Sequence, residues 1–176
     1  MKYFRKIVGE RVYLSPINQD DAEIYTKWMN DPEVALTLGQ YRRTITVAGE
    51  QNWIDRFSGE HNYAIVRSED NTLIGNIGIN SIDYVSRTAE VGLIIGEAEN
   101  RGGGYGTEAL GLLVGYLFNT LNTYNVMLYV HADNAQAIAC YKKVGFREFG
   151  RRSNAVYKEG KYVDQIYMEI LNSDKT

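Results

Sequence analysis

The spacing of apolar positions changes several times along the first third of the chain, and each change predicts an element. Apolar and polar residues alternate from Arg11 to Ile17, which is typical of a strand with one buried face. From Asp20 to Asn30 the apolar residues recur at helical spacing, and Pro32 ends that helix. Thr46 is a suitable N-cap for a second amphipathic helix over Val47–Phe57. This third therefore predicts one strand followed by two helices.

The remaining two thirds predict more strands than helices. Apolar runs at Tyr63–Arg67 and Leu73–Asn80, joined by turn-forming residues, indicate a hairpin. Thr88–Ile95 ends in a continuous apolar run, which indicates a strand buried on both faces. The later predicted elements are a helix over Gly104–Thr120, a strand over Tyr124–His131, a helix over Asp133–Lys143 closed by Gly145, and a hairpin over Arg147–Ile170. This order predicts a single mixed α/β domain over residues 1–176.

Composition and charge exclude several classes of protein. A chain of 176 residues, 44% of them hydrophobic, can bury a core and is too apolar for extended disorder. The formal net charge of -3 gives no basic excess, so neither nucleic acid nor a membrane surface is an expected partner. The charged N-terminal segment lacks a signal-peptide core, which favours a cytoplasmic protein. The single cysteine, Cys140, excludes an internal disulfide, and His61 and His131 lack partners at ligand spacing, so no metal site is expected.

Four glycines lie within five positions in the segment NRGGGYGTEAL at 100–110, directly before a predicted helix. Glycine weakens helices and strands, so this cluster requires a separate explanation. Backbone N–H groups that converge at a helix N-terminus bind anions, and glycines let a phosphate approach them closely. The cluster therefore predicts a phosphate site, although a tight strand-to-helix corner would also use glycines. The residues of the predicted site are Arg101, Gly102, Gly103, Gly104, Tyr105, Gly106 and Thr107.

The sequence around the glycines narrows the choice of phosphate ligand. A nucleotide-triphosphate loop places Lys and then Ser or Thr after its last glycine, whereas Gly106 is followed by Thr107 and Glu108. A dinucleotide fingerprint fits from Gly104 to Ala109, but that motif normally follows a strand directly at the start of its fold. Here two predicted helices and a strand meander come first, which disfavours a dinucleotide-dependent oxidoreductase.

Three segments in register resemble the GNAT superfamily of acetyl-CoA-dependent N-acetyltransferases. Arg101 to Gly106 resembles its Q/R-x-x-G-x-G/A signature, and Ala89 to Gly92 looks like its fourth strand. Asn134 to Phe146 is similar to its N-x-x-A-x-x-x-Y-x-K-x-G-F segment. The resemblance implies the GNAT fold, an α/β (α+β) domain with a central, mixed, mostly antiparallel sheet of about seven strands flanked by about four helices. It also implies a splayed sheet, in which the fourth and fifth strands part and the pantetheine of acetyl-CoA lies between them.

The resemblance also implies roles for individual residues. Asn134 and Tyr141 are seven positions apart and share one helix face, along which pantetheine is expected to lie. Tyr141 is the expected general acid, since an ordinary tyrosine pKa of ~10 lies near the ~8.5 of a departing thiol, but a core tyrosine fits as well. Glu90 is the candidate general base, although a salt-bridged or solvent-facing strand residue would fit the same position. The backbone groups expected to hold the thioester carbonyl and pantetheine belong to Leu93, Ile94 and Ile95.

The expected acceptor is a primary amine, and its class stays open. Gly9–Leu14 and Trp28–Val34 look like the branch that holds ribosomal-protein N-terminal acetyltransferases and spermidine acetyltransferases. Acidic residues near the expected acceptor side would attract a cationic amine, whereas Arg42 and Arg43 count against a polyamine. These acidic residues are Glu23, Asp31, Glu33 and Glu50. We expect direct transfer to a protein N-terminus or a small amine; a polyamine acetyltransferase and a CoA-binding domain without catalysis are the alternatives, and a homodimer is left open.

Overall fold

The computed structural model describes residues 2–39, 41–59 and 61–173, which form one sheet flanked by helices. The strands in these ranges are β1 Ile7–Val8, β2 Val12–Pro16, β3 Asn62–Arg67, β4 Leu73–Asp83, β5 Thr88–Ile95, β6 Asn125–His131, β7 Arg147–Lys158 and β8 Lys161–Leu171. The helices are α1 Ala22–Asn30, α2 Pro32–Leu38, α3 Val47–Phe57, α4 Tyr105–Asn119 and α5 Ala135–Val144. No helix in the described part of the chain has the length and apolar character needed to cross a membrane.

The sheet has the order β1-β2-β3-β4-β5-β6-β8-β7, and one neighbouring pair differs from the rest. β5 and β6 run parallel because α4 crosses over between them, whereas every other neighbouring pair in the described ranges is antiparallel. The parallel pairing covers only Thr88–Glu90 against Asn125–Met127. β5 continues to Ile95 beside β4, and β6 continues to His131 beside β8. The sheet is therefore splayed beyond Glu90, and the prediction of a mixed, mostly antiparallel, parted sheet is confirmed.

The two faces of the sheet carry separate hydrophobic cores. On one face α4 packs with Leu110, Leu113 and Leu117, and α5 lies beside it; we call this the α4–α5 face. On the other, the α1–α3 face, Trp28 and Ile54 are almost fully buried against the first strands. Burial of one such side chain contributes about 1.5–3 kcal/mol, so each helix layer is held by several times that amount. The division matters for the site because the parted strands open onto both faces.

Helix α2 and strand β1 were not predicted. Helix α2 was missed because the residues that end α1 also begin α2. Asp31 ends α1, as expected, but its side chain also accepts a hydrogen bond from the Glu33 N–H and caps a new helix. Pro32 occupies the first position of that helix, where its missing N–H costs nothing. Gly39, with a φ of 69°, closes the helix after two turns. The residue that stops one helix thus begins the next.

Candidate active site

The glycine loop presents a row of backbone N–H groups without protein acceptors. Gly102 and Gly104 have φ angles of +77° and +91°, a left-handed conformation that only glycine adopts at little cost. Gly104 is the N-cap of α4, and the first backbone bond of the helix runs from the Glu108 N–H to the Gly104 carbonyl at 3.0 Å. Within the described ranges, the N–H groups of residues 102–107 donate to no protein acceptor. Free backbone N–H groups at the start of a helix are suited to binding an anion.

Arg11 supplies a positive charge at this loop, and the sequence analysis did not include it. The turn between β1 and β2 is fixed on α4 because the N–H groups of Arg11 and Val12 donate to Glu108 Oε1 at 2.8 and 3.2 Å. The Arg11 guanidinium donates to the Gly103 carbonyl at 2.8 Å and lies 4.3 Å from the Tyr105 ring centroid. Since Arg11 and Gly103 are 92 positions apart, no local motif could reveal this pairing.

Arg101, which was predicted as a phosphate ligand, has its guanidinium occupied within the protein. It donates to the carbonyls of Ile95 and Gly96 at 3.2 and 2.5 Å and forms an ion pair with Glu33 at 2.9 Å. These contacts close the connection between β5 and α4 and attach it to α2. The guanidinium that projects over the glycines is therefore that of Arg11.

The gap between β5 and β6 exposes alternate backbone groups of β5. The Gly96 N–H donates to the Ile74 carbonyl at 3.0 Å, one position beyond the pair Ile95–Gly75. Because hydrogen-bonded and non-hydrogen-bonded pairs alternate in an antiparallel ladder, Ile94 bonds to β4 while Leu93 and Ile95 turn away from β4. Leu93 presents its N–H and C=O groups to the gap, whereas Ile95 presents its N–H, because its carbonyl accepts from Arg101. Of the three residues predicted to hold pantetheine, two thus present backbone groups there.

The glycine loop adjoins the gap. A Cβ atom at Gly106 would lie 3.4 Å from a methyl group of Leu93 and 3.6 Å from Ile95. The start of α4 therefore packs on the side chains of the same two β5 residues whose backbone faces the gap. A ligand with an anionic end and an extended amide-bearing arm would fit the glycine loop and the gap at once.

Helix α5 forms the other wall of the gap on the α4–α5 face. The helix begins at Ala135 rather than at Asp133, and Asn134 is its N-cap, with Oδ1 accepting from the Ala137 N–H at 3.1 Å. The amide Nδ2 of Asn134 is left to donate elsewhere. Thr107 Oγ1 donates to Cys140 Sγ at 3.3 Å and connects α4 to α5. Burial raises the pKa of the Cys140 thiol, which makes it a poor nucleophile.

Tyr141 lies in the core on the same face, and only 8% of it is exposed. Its ring centroid is 6.3 Å from that of Phe146, and its hydroxyl has no hydrogen-bond partner in the part of the chain that the structure describes. Desolvation, and then the neighbouring Cys140, raise the pKa of Tyr141, so the hydroxyl keeps its proton at neutral pH. The match with an ordinary thiol pKa that the sequence suggested does not hold in this buried position.

Glu90 lies on the opposite side of the gap from Tyr141. Ala89 and Val91 are buried on the α4–α5 face, and side chains alternate along a strand, so Glu90 points to the α1–α3 face. Its Oε1 accepts from Asn80 Nδ2 at 3.2 Å, and it has no ion-pair partner among the described residues. Glu90 is also the last β5 residue paired with β6. The two residues predicted as base and acid therefore lie on opposite faces of the sheet, with Glu90 at the point where the strands part.

The other charged residues near the α1–α3 face are engaged in different ways. Glu33 is paired with Arg101, and Asp31 caps α2. Glu50 is 8% exposed, and desolvation raises its pKa. Arg42 donates to the Tyr157 carbonyl at 2.6 Å, at the far end of the β7–β8 hairpin. In residues 2–39, 41–59 and 61–173, no cluster of three His, Cys, Asp or Glu side chains is placed to hold a metal ion.

Comparisons with a family model, with known sequences and with solved structures all point to the same family. The model of the acetyltransferase (GNAT) domain matches residues 11–147. A spermidine N(1)-acetyltransferase of Escherichia coli (strain K12) is 30% identical over 166 residues, which is 92% of this chain and 82% of that protein. A putative ribosomal N-acetyltransferase of Bacillus subtilis (strain 168) is 27% identical, covering 84% of this chain and 78% of that protein. The fold matches the structure of spermidine N-acetyltransferase from Vibrio cholerae in complex with CoA and spermine, with a TM-score of 0.82, 21% identity and coverage of 94% and 98%.

Proposed function

Because the chain belongs to the GNAT family of N-acetyltransferases, we propose that its glycine loop and parted strands hold acetyl-CoA and present it to a primary amine. The N–H groups of residues 102–107 bind the diphosphate, and Arg11 adds a positive charge beside them. The observation that carries the proposal is the packing of Gly106, at the start of α4, on the side chains of Leu93 and Ile95, whose backbone faces the gap.

The pantetheine arm lies along the gap in this proposal. Its amide groups pair with the N–H and C=O of Leu93 and with the N–H of Ile95, as an added strand would. Asn134 donates through Nδ2 from the N-terminus of α5, because its Oδ1 is used by the helix cap. When bound, acetyl-CoA supplies an activated acyl group, and the protein supplies position, proton transfer and exclusion of water.

The two proton transfers are assigned to opposite sides of the gap. Glu90, on the α1–α3 face, accepts the proton of the attacking amine, directly or through water. Tyr141, on the α4–α5 face, donates its proton to the sulfur atom that leaves. Burial disfavours a thiolate as it disfavours a tyrosinate, so the sulfur that leaves also holds a proton more tightly in a buried site than in water. Transfer is direct, because the Cys140 thiol is partly buried, accepts a hydrogen bond from Thr107 and has a raised pKa, which makes it a poor acyl acceptor.

The acceptor approaches from the α1–α3 face, where Glu90 lies. The position of Glu90 is compatible with a peptide N-terminus and with a small aliphatic amine as the acceptor. Arg42 and Arg43 were expected to disfavour a polyamine, but the Arg42 guanidinium donates to the Tyr157 carbonyl. Tyr157 pairs with Tyr162 on β8, seven positions from Glu169, which is registered with Met127 beside Glu90, and so lies about 24 Å along the hairpin from it. The charge of Arg42 therefore does not decide the acceptor class.

A thiol-release assay tests this function. Purified protein, acetyl-CoA and a panel of diamines, monoamines and N-terminal peptides should give free CoA with at least one class, and the product should carry one acetyl group on nitrogen. Tight acetyl-CoA binding without CoA release across the panel would instead indicate a binding domain that has lost catalysis. If NAD(P) but not acetyl-CoA raised the Tm of the protein, the result would support the disfavoured function of a dinucleotide-dependent oxidoreductase.

A further inference from the structure

The β6–β8 part of the sheet carries exposed aromatic rings beside the gap. The described strand residues in the core of the α1–α3 face come from β2 to β5, so this core does not extend over β6 to β8. Val126, Leu128 and Val130 of β6 are buried on the α4–α5 face. Tyr129 lies between two of them and therefore points to the α1–α3 face, where it is 47% exposed. This is the face on which Glu90 lies.

Two further rings continue the surface away from the gap. Tyr167 of β8 is registered with Tyr129 and alternates with the buried Ile166 and Met168, so it points to the same face. Its ring centroid lies 6.2 Å from that of Tyr129 and 6.2 Å from that of Phe149, which is 50% exposed. We call Tyr129, Tyr167 and Phe149 the aromatic shelf. At the centre of the shelf the Tyr167 hydroxyl donates to Gln165 Oε1 at 2.9 Å, which helps to orient the ring.

The electrostatic surroundings of the shelf favour a cation. Glu90 is registered with Met127, two positions from Tyr129, and its carboxylate, after burial, contributes to the raised pKa of Tyr129. Ring faces carry partial negative charge, so a carboxylate beside exposed aromatic rings attracts an ammonium group from two directions. Of the arginines that share this face, Arg147 is paired with Glu169, whereas Arg152, registered with Gln165, has no ion-pair partner among the described residues and adds its charge at the end of the shelf away from Glu90.

We propose that the aromatic shelf binds a second, non-reacting ammonium group of the acceptor while the reacting amine lies at Glu90. The inference rests on the proposed function, and it makes the substrate an aliphatic amine with another cationic nitrogen a short chain away. The alternative occupant of the shelf is a second copy of this chain. Such packing would not require a carboxylate at the edge of the shelf. The position of Glu90 at the boundary between shelf and gap favours the cationic ligand.

Two probes of equal shape and different charge test the shelf. Choline and 3,3-dimethyl-1-butanol differ by one positive charge, and neither has an amine that can be acetylated. We expect choline to bind the protein–CoA complex roughly 5- to 30-fold more tightly than the neutral alcohol in an NMR or calorimetric titration, and to compete with the amine acceptor but not with acetyl-CoA. Equal binding of the two probes to the wild-type protein would overturn the proposal.

Matched variants test whether the preference for choline depends on the rings of the shelf. Tyr129→Leu combined with Tyr167→Leu should abolish the preference for choline and raise KM for the amine. Tyr157→Leu combined with Tyr162→Leu changes another exposed ring pair on the same hairpin, 5.0 Å apart, and should leave both values unchanged. A shelf variant that lowers the sedimentation coefficient without changing KM for the amine would make the shelf a self-association surface and overturn the proposal.

The titration also separates this inference from the proposed function. If no amine releases CoA but choline still binds preferentially and the shelf variant loses that preference, the shelf binds cations and the assigned reaction is wrong. If amines are acetylated normally but the two probes bind equally, the reaction stands and the shelf has no role in recognition.

Discussion

Substitution of Gly104 by alanine separates the strain of the glycine loop from its binding role. Gly104 has a φ of +91°, and an L-residue in the left-handed region costs roughly 1–2 kcal/mol. The new Cβ would meet no atom closer than Arg11 Nη1 at 3.5 Å, so the cost lies in the backbone and not in a clash. For a chain of this size, 1 kcal/mol lowers Tm by about 2–4 °C, which gives a decrease of roughly 2–8 °C for Gly104→Ala.

The same change should weaken coenzyme binding by more than it lowers stability. Relief of the strain turns the amides at the start of α4 out of their common direction, and a hydrogen bond to a charged group contributes about 1.5–3 kcal/mol. Loss of one such bond to the diphosphate raises the dissociation constant for CoA roughly 10- to 150-fold. Isothermal titration measures this constant, and differential scanning calorimetry measures Tm on the same sample.

Gly103→Ala is the matched control. Gly103 has no positive φ, and its Cβ would lie 3.6 Å from the Tyr105 ring, an ordinary contact. Alanine there should leave stability unchanged or raise it by about 0.4–1 kcal/mol, with CoA affinity changed by about 0.5 kcal/mol or less. If Gly104→Ala lost stability but bound CoA like the wild type, the loop amides would not be the diphosphate site.

Three further substitutions probe the remaining parts of the account. Tyr141→Phe should lower kcat by roughly 10²- to 10⁴-fold and leave acetyl-CoA affinity nearly unchanged in titrations; equal losses in both would give the hydroxyl a packing role. Arg11→Met should raise the dissociation constant for CoA about two- to fivefold and reduce its dependence on salt, and an unchanged salt dependence would exclude a phosphate contact. Burial raises the folded-state pKa of Glu50, so the stability linked to its protonation is present below the unfolded pKa and is lost as pH rises through the folded pKa. Glu50→Gln should therefore raise the unfolding free energy at about pH 8 and not at about pH 4 in urea titrations, and a gain at both would point to another cause.

Local signals in the sequence were enough for most of the fold. Thr46 caps α3 as predicted, and its side chain accepts a hydrogen bond from the Gly49 N–H at 3.1 Å. The parted strands followed from the family motifs. α2 was missed because Pro32 indicates the end of a helix as strongly as the beginning of one. β1 has only two residues, too few for a periodic pattern.

Some features of the candidate site could also be predicted from local sequence, and others could not. The free amides of the glycine loop could be predicted from neighbouring residues, since they depend on Gly104 and the helix that follows it. The contact of Arg11 with Gly103, and the attachment of Arg101 to Glu33, could not, because each joins segments far apart in the chain. The aromatic shelf was also missed, because its rings come from three strands whose order in the sheet is not their order in the sequence.

The central claim is that the amide row from Gly102 to Thr107 binds the diphosphate of the coenzyme. A titration of ¹⁵N-labelled protein with CoA, followed by amide resonances, tests it most directly. The account predicts that the amide signals of the loop glycines move together and saturate with the calorimetric dissociation constant, while that of Gly160, at the β7–β8 turn, stays fixed. Saturable CoA binding that left the loop glycine signals in place would contradict it.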